Sequence, residues 1–153
     1  MDKTHPPETF GVFKPVGHTV IAFRTAIDQQ AAVNALLDQK FSDSALVRYS
    51  SEEMKAQVDA ELQKASALAG FGYELDLIKM HRTLAEDGCS FLIVHAPDDA
   101  QAESVAGVAR TTNAVAAQHY GRFMIEEISG LAPGNTPVQT ANARQRPGAE
   151  GDD

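Results

Sequence analysis

The chain is predicted to be a single α+β domain: an antiparallel four-stranded sheet with a two-helix insertion between strands 2 and 3. Three observations carry this. Strand-like and helix-like segments follow one another in the order β-α-β-(α-α)-β-α-β. Two strand segments, Val20-Ile-Ala-Phe23 and Phe91-Leu-Ile-Val94, are apolar at every position, as in a sheet covered on both faces. The helix segments instead repeat apolar residues every three or four positions.

Residues 1–9 are polar with two prolines and are expected to be flexible, while residues 10–13 are apolar and expected to dock on the domain. Residues 18–24 (HTVIAFR) form the first strand. Thr25-Ala-Ile-Asp28 resembles a capping box, and the helix after it carries Val33, Leu36 and Leu37 on one face. Lys40 to Asp43 end that helix, with Phe41 folding back onto it, and residues 45–49 (ALVRY) form the second strand. Ser50 and Glu53 have the spacing of a second capping box. Met54, Val58, Leu62, Ala65 and Ala69 then form a stripe that must bury against something. Gly70-Phe71-Gly72 breaks the helix. It is no phosphate loop, since it lacks the Lys-Ser/Thr ending. The next helix puts Leu77, Met80, His81 and Leu84 on one side, and Gly88 closes it.

Residues 90–96 (SFLIVHA) form the third strand. Pro97-Asp-Asp99 opens a helix with Ala102, Val105, Ala106 and Ala109 inward, and Asn113 ends it in the left-handed region. Residues 115–120 form the fourth strand, which is expected to continue through a bend at Gly121 to Ile125. The domain is therefore placed at residues 10–131. Residues 132–153 lack periodicity and are expected to be a disordered tail. Two β-α-β units sharing an antiparallel sheet make a ferredoxin-like arrangement with spatial order 4-1-3-2. Here a helical pair of roughly 38 residues stands where a tight turn is usual.

The 153 residues carry 13 basic and 21 acidic side chains, a net charge of −8, with no run of Lys or Arg. A nucleic-acid or anionic-membrane surface needs clustered positive charge, so neither partner is expected. The longest apolar stretch, Cys89 to Ala96, is far short of the roughly 20 residues of a membrane helix. The first residues have no basic and then apolar pattern of a secretory signal, and a lone cysteine, Cys89, fits the cytoplasm. Cys89 reads as a small buried hydrophobe.

The segments VIAFRTAIDQQAAVNALLDQKFSDSALVRYS (20–50) and LAEDGCSFLIVHAPDDAQAESVAGVARTTN (84–113) resemble the small bacterial heat-induced general-stress-protein domains. The shared plan covers most of residues 18–120: strand, helix, Phe-Ser/Asp turn, strand, helical insert, apolar strand and acidic helix start. The family usually has Gly-Ala where this chain has Asn113-Ala114, and Gly-Phe where it has Lys40-Phe41. The resemblance implies the ferredoxin-like fold and no particular chemistry.

Candidate chemistry gathers on histidines. The topology puts His18, at the start of strand one, and His95, at the end of strand three, at one rim of the sheet. His119 and Tyr120 on strand four lie nearer that rim than the other. Three imidazoles there could bind a small molecule or a metal, but no short His-x-His spacing supports a metal, and none is assigned; nor is a cofactor. His81 lies on the apolar side of its helix beside Arg82, a pair that could contact a ligand, while the surrounding charges read as a solvated face. Glu126 and Glu127 are adjacent in a strand, point to opposite faces and read as solvated.

Three functions follow. A non-catalytic, self-associating stress or accessory domain, expected to be a homodimer, predicts a packed core without a sizeable polar cleft. A small-molecule or metal-binding protein predicts converging histidines at the rim. A dimeric α/β-barrel-like enzyme predicts an apolar cavity of several hundred Å³.

Overall fold

The computed structural model describes residues 8–9, 12–13, 15–65 and 72–131. The expected tail, the break at Gly70-Phe71 and all but Glu8 and Thr9 of the expected flexible N-terminus lie outside the described residues. Glu8–Thr9 (β1) and Val12–Phe13 (β2) pair as a small antiparallel ladder, and β2 packs against a helix introduced below as α2.

The main sheet holds His18–Phe23 (β3), Leu46–Tyr49 (β4), Ser90–His95 (β5), Ala114–Tyr120 (β6) and Ile125–Glu127 (β7). Their order is β4-β5-β3-β6-β7, and every neighbouring pair is antiparallel. The protein is thus α+β, with a five-stranded sheet where four strands were expected. The extra strand comes from residues read as a continuation of β6. The Gly121 N–H donates to the Met124 carbonyl at 2.9 Å and closes a tight turn, so the chain reverses and β7 pairs back along β6. Phe123 and Met124, apolar in sequence, stand exposed at the tip of that turn.

Four helices complete the described fold: Ala26–Asp38 (α1), Ser51–Ala65 (α2), Gly72–Glu86 (α3) and Asp99–Thr111 (α4). Their ends are set by local chemistry. The Thr25 hydroxyl accepts the Asp28 N–H at 3.1 Å and starts α1. Ser50 and Glu53 exchange two hydrogen bonds, 2.9 and 3.1 Å, at the start of α2. Asp98 and Gln101 form the same reciprocal box at the start of α4. Asn113 and Gly88 take the left-handed conformation that ends α4 and α3 (φ 63° and 93°), and Lys40 takes it after α1 (φ 74°).

The pleat sends alternate residues of each strand to opposite faces. On one face Val20, Ala22, Tyr49, Phe91, Ile93 and Tyr120 pack with Met54 and Val58 of α2 and Leu77, Ile78 and Leu84 of α3. On the other, Ile21, Phe23, Leu92, Val94 and Ala117 pack with Val33 and Leu36 of α1 and Val105 and Ala109 of α4. The inserted pair α2–α3 therefore covers the second face of its own chain's sheet, which removes the need for a second copy to cover it. It also explains why β3 and β5 are apolar without alternation: all six residues of β3 are buried. Burial departs from expectation at two positions. Leu37 of α1 turns partly outward, its place on the inner face being taken by Gln29 and Ala32. Glu61, one turn beyond Val58, is buried although polar. No helix among the described residues is long and apolar enough to cross a membrane.

Candidate functional site

The start of β3 and the end of β5 meet at one end of the sheet, and the register places His18 directly opposite His95 on one side and Tyr120 on the other. Residues directly opposite share a face, so His95, His18 and Tyr120 form a row on the α2–α3 side. The two imidazole centroids are 4.8 Å apart with the rings tilted by 41°. His18 is 8% exposed, and its Nδ1 lies 2.9 Å from the Val16 carbonyl oxygen. A carbonyl only accepts, so Nδ1 carries the proton and the Nε2 of a neutral His18 holds a lone pair. Burial pushes the His18 pKa below the usual histidine value; the Val16 carbonyl opposes this, and the neighbouring His95 adds to it. His95 is exposed, and neither of its ring nitrogens is hydrogen-bonded to a described residue.

His119 does not join this pair. It lies opposite Thr19, one residue along from His18 and hence on the other face of the sheet, where its Nδ1 is 2.8 Å from the Thr19 hydroxyl. The expectation that three histidines share a rim holds for their height along the sheet but not for the side they face. Burial lowers the His119 pKa, with Glu126 and Asp99 opposing the shift.

His81 and Arg82, adjacent on α3, also part. Arg82 bonds to Asp59 of α2 at 2.6 Å and to Glu86 one turn on, so its guanidinium ties the two inserted helices together at the surface. His81 is buried over the centre of the sheet, edge-on to Phe91 with centroids 5.7 Å apart. Its Nε2 is 3.0 Å from Gln118 Oε1, and Gln118 Nε2 donates to Glu127 Oε2 at 3.0 Å. The amide orientation makes His81 Nε2 the donor. This chain from a fully buried ring to a strand-edge carboxylate was not singled out from the sequence. Burial strongly disfavours a charge on His81 and lowers its pKa, the Gln118 bond opposing. The Cys89 thiol is likewise buried, and desolvation raises its pKa, which suits an inert core residue.

His18, His81 and His119 all have lowered folded-state pKa values, which gives a pH prediction with a definite sign. The unfolded chain takes up protons near pH 6.5 while the folded chain does not. Stability is therefore full above about pH 6.5 and falls as the pH drops below it, until the folded-state pKa values are reached. Denaturant melts at pH 7.5, 6.5 and 5.5 should show the loss, and His81→Leu should flatten it. An unchanged pH dependence in that variant would refute the role given to the buried ring.

A cleft of about 410 Å³ opens beside His95 on the α1–α4 side. Lys40, Phe41 and Ser42 wall it from the end of α1, and Gln101 and Ser104 from the first turns of α4. Among the described residues no carboxylate lines it. Gln101 uses its Oε1 in the capping box, which leaves its amide N–H groups to point elsewhere. Lys40 makes no ion pair with a described residue. It also holds a left-handed backbone that glycine would adopt with less strain. The cleft was missed in the sequence because its walls come from three separated segments. The one local signal was a lysine standing where helices usually end on glycine or asparagine. Among the described residues, no group of three or more His, Cys, Asp or Glu could hold a metal ion.

Compared with family models, with curated proteins and with solved structures, the chain matches none.

Proposed function

We propose that this chain is a ferredoxin-like, cytoplasmic small-ligand-binding domain whose binding site is the cleft beside His95. The observation that carries the reading is the cleft itself. Its volume of about 410 Å³ lies in the range of small-molecule sites, and its lining is drawn from three separated segments. A packed accessory domain has no need of such a cleft. Lys40, with no carboxylate in the lining among the described residues, favours a ligand bearing an anionic group, and the Gln101 and Ser104 side chains supply uncharged donors. The site holds no paired acid and base, so the reading is binding rather than catalysis.

The test is a thermal-shift and calorimetric screen with small carboxylates, phosphate monoesters and neutral polyols. The expected result is stabilisation by one anionic class, weakened about fivefold by Lys40→Gln, roughly the 1 kcal/mol at the upper end for one exposed charge. Stabilisation by no compound, or by compounds whose affinity ignores Lys40, Gln101 and His95, would sink it.

A self-associating accessory domain of the heat-induced general-stress-protein type is the second reading. It is favoured by Phe123, 92% exposed beside Met124 on the turn before the edge strand β7. A homodimer through that edge predicts that Phe123→Asp shifts the sedimentation coefficient of a concentrated sample towards the monomer value.

A further inference from the structure

We propose that His18 and His95 form a two-histidine site for a borderline divalent ion, copper(II) or zinc(II), at one end of the two central strands of the sheet.

The two side chains are directly opposite on neighbouring antiparallel strands, so rigid backbone rather than loop sets their spacing. Their ring centroids are 4.8 Å apart. An ion held at about 2.0–2.1 Å from one nitrogen of each ring would set the ring centres about 5 Å apart. The 41° tilt is not a parallel stack that would close the space between the rings. His18 also has the support that metal-binding histidines carry. Its Nδ1–H donates to the Val16 carbonyl, which fixes the tautomer and leaves Nε2 as the electron-pair donor.

His18 is buried at 8% exposure, and the backbone carbonyls of Val16 and Pro15 hold its ring in place beside His95. His95 beside it is exposed with both ring nitrogens unbonded, so an ion can reach the pair from solvent. The site offers two protein ligands, fewer than a closed structural zinc centre, so water or an added ligand must fill the remaining positions. Imidazole donors without carboxylates select copper, nickel and zinc over magnesium or calcium. The cleft shares His95 with the pair but not His18, and the metal titration is run without any cleft ligand, so it reads the two-histidine site by itself.

The test is titration of the metal-free full chain with copper(II) and with zinc(II), followed by calorimetry and, for copper, electron paramagnetic resonance. One equivalent should bind, with coupling to two imidazole nitrogens in the copper spectrum. His95→Ala and His18→Gln should each weaken binding by about tenfold or more, while His119→Ala, on the other face, and His5→Ala should leave it within about twofold. Circular dichroism checks that His18→Gln folds; should it not, the exposed His95→Ala decides alone. The proposal is overturned by absence of binding, by binding that His95→Ala leaves intact, or by binding that only His5→Ala removes.

Discussion

Replacing Phe91 by alanine is expected to lower the unfolding free energy by about 3–5 kcal/mol, among the largest losses available to a single substitution in this chain. Phe91 is fully buried on β5, the strand between β4 and β3. In register it stands opposite Tyr49 on one side and Ala22 on the other, and the edge of His81 meets its ring from α3. The ring thus joins the sheet to the inserted helices. Ala22 is too small to fill the space a lost ring would leave, and α2 and α3 also rest on the sheet through Met54, Val58, Leu77 and Leu84, which keeps them from settling into it. The resulting cavity cannot collapse easily, which places the cost in the upper part of the range for aromatic truncation. The backbone should survive, because the Phe91 carbonyl accepts from Gln29 Nε2 at 2.7 Å whatever its side chain. Urea melts should show a lower midpoint with an unchanged slope. A loss below about 1 kcal/mol would mean that α2 and α3 do not rest on this face.

The second large effect concerns the buried polar chain. Gln118→Leu removes the acceptor for the buried His81 Nε2–H, and should cost about 1–3 kcal/mol. His81→Leu leaves the Gln118 carbonyl unsatisfied instead, at a similar cost. The double replacement removes donor and acceptor together, so its loss should be well under the sum of the two single losses. Glu127, which receives the Gln118 amide, sits at the exposed edge and can be solvated once that amide is gone. Additive losses would show that the two side chains do not interact.

What could be read from the sequence was local. The Ser50–Glu53 and Asp98–Gln101 caps, and the left-handed ends at Gly88 and Asn113, each depend on residues within one turn of one another. The unbroken apolar runs of β3 and β5 marked a sheet covered on both faces before the covering helices were known. Reading failed where one backbone bond or one step of register decides. Phe123 and Met124 carry the apolar signal of a strand, yet the Gly121–Met124 bond makes them a turn. His119 is one register step from the row that holds His18, which is enough to send it through the sheet to the other side. Gln118 looked like an ordinary strand residue, although its face, shared with Ala116 and Tyr120, lies under α3. Glu61 could be expected at the surface by residue type, and only the packing of α2 shows it buried. The cleft is harder still, since Lys40, His95 and Ser104 are far apart in the chain.

The claim that the cleft beside His95 is a binding site is tested most directly by mapping amide shifts in a ¹H–¹⁵N correlation spectrum while the stabilising compound is titrated in. The account predicts saturable shifts confined to the end of α1 around Lys40 to Ser42, to His95, and to the first turns of α4 around Gln101 and Ser104. Shifts centred on the Phe123–Met124 turn or on the outer surface of α2 and α3, with those cleft amides unmoved, would contradict it.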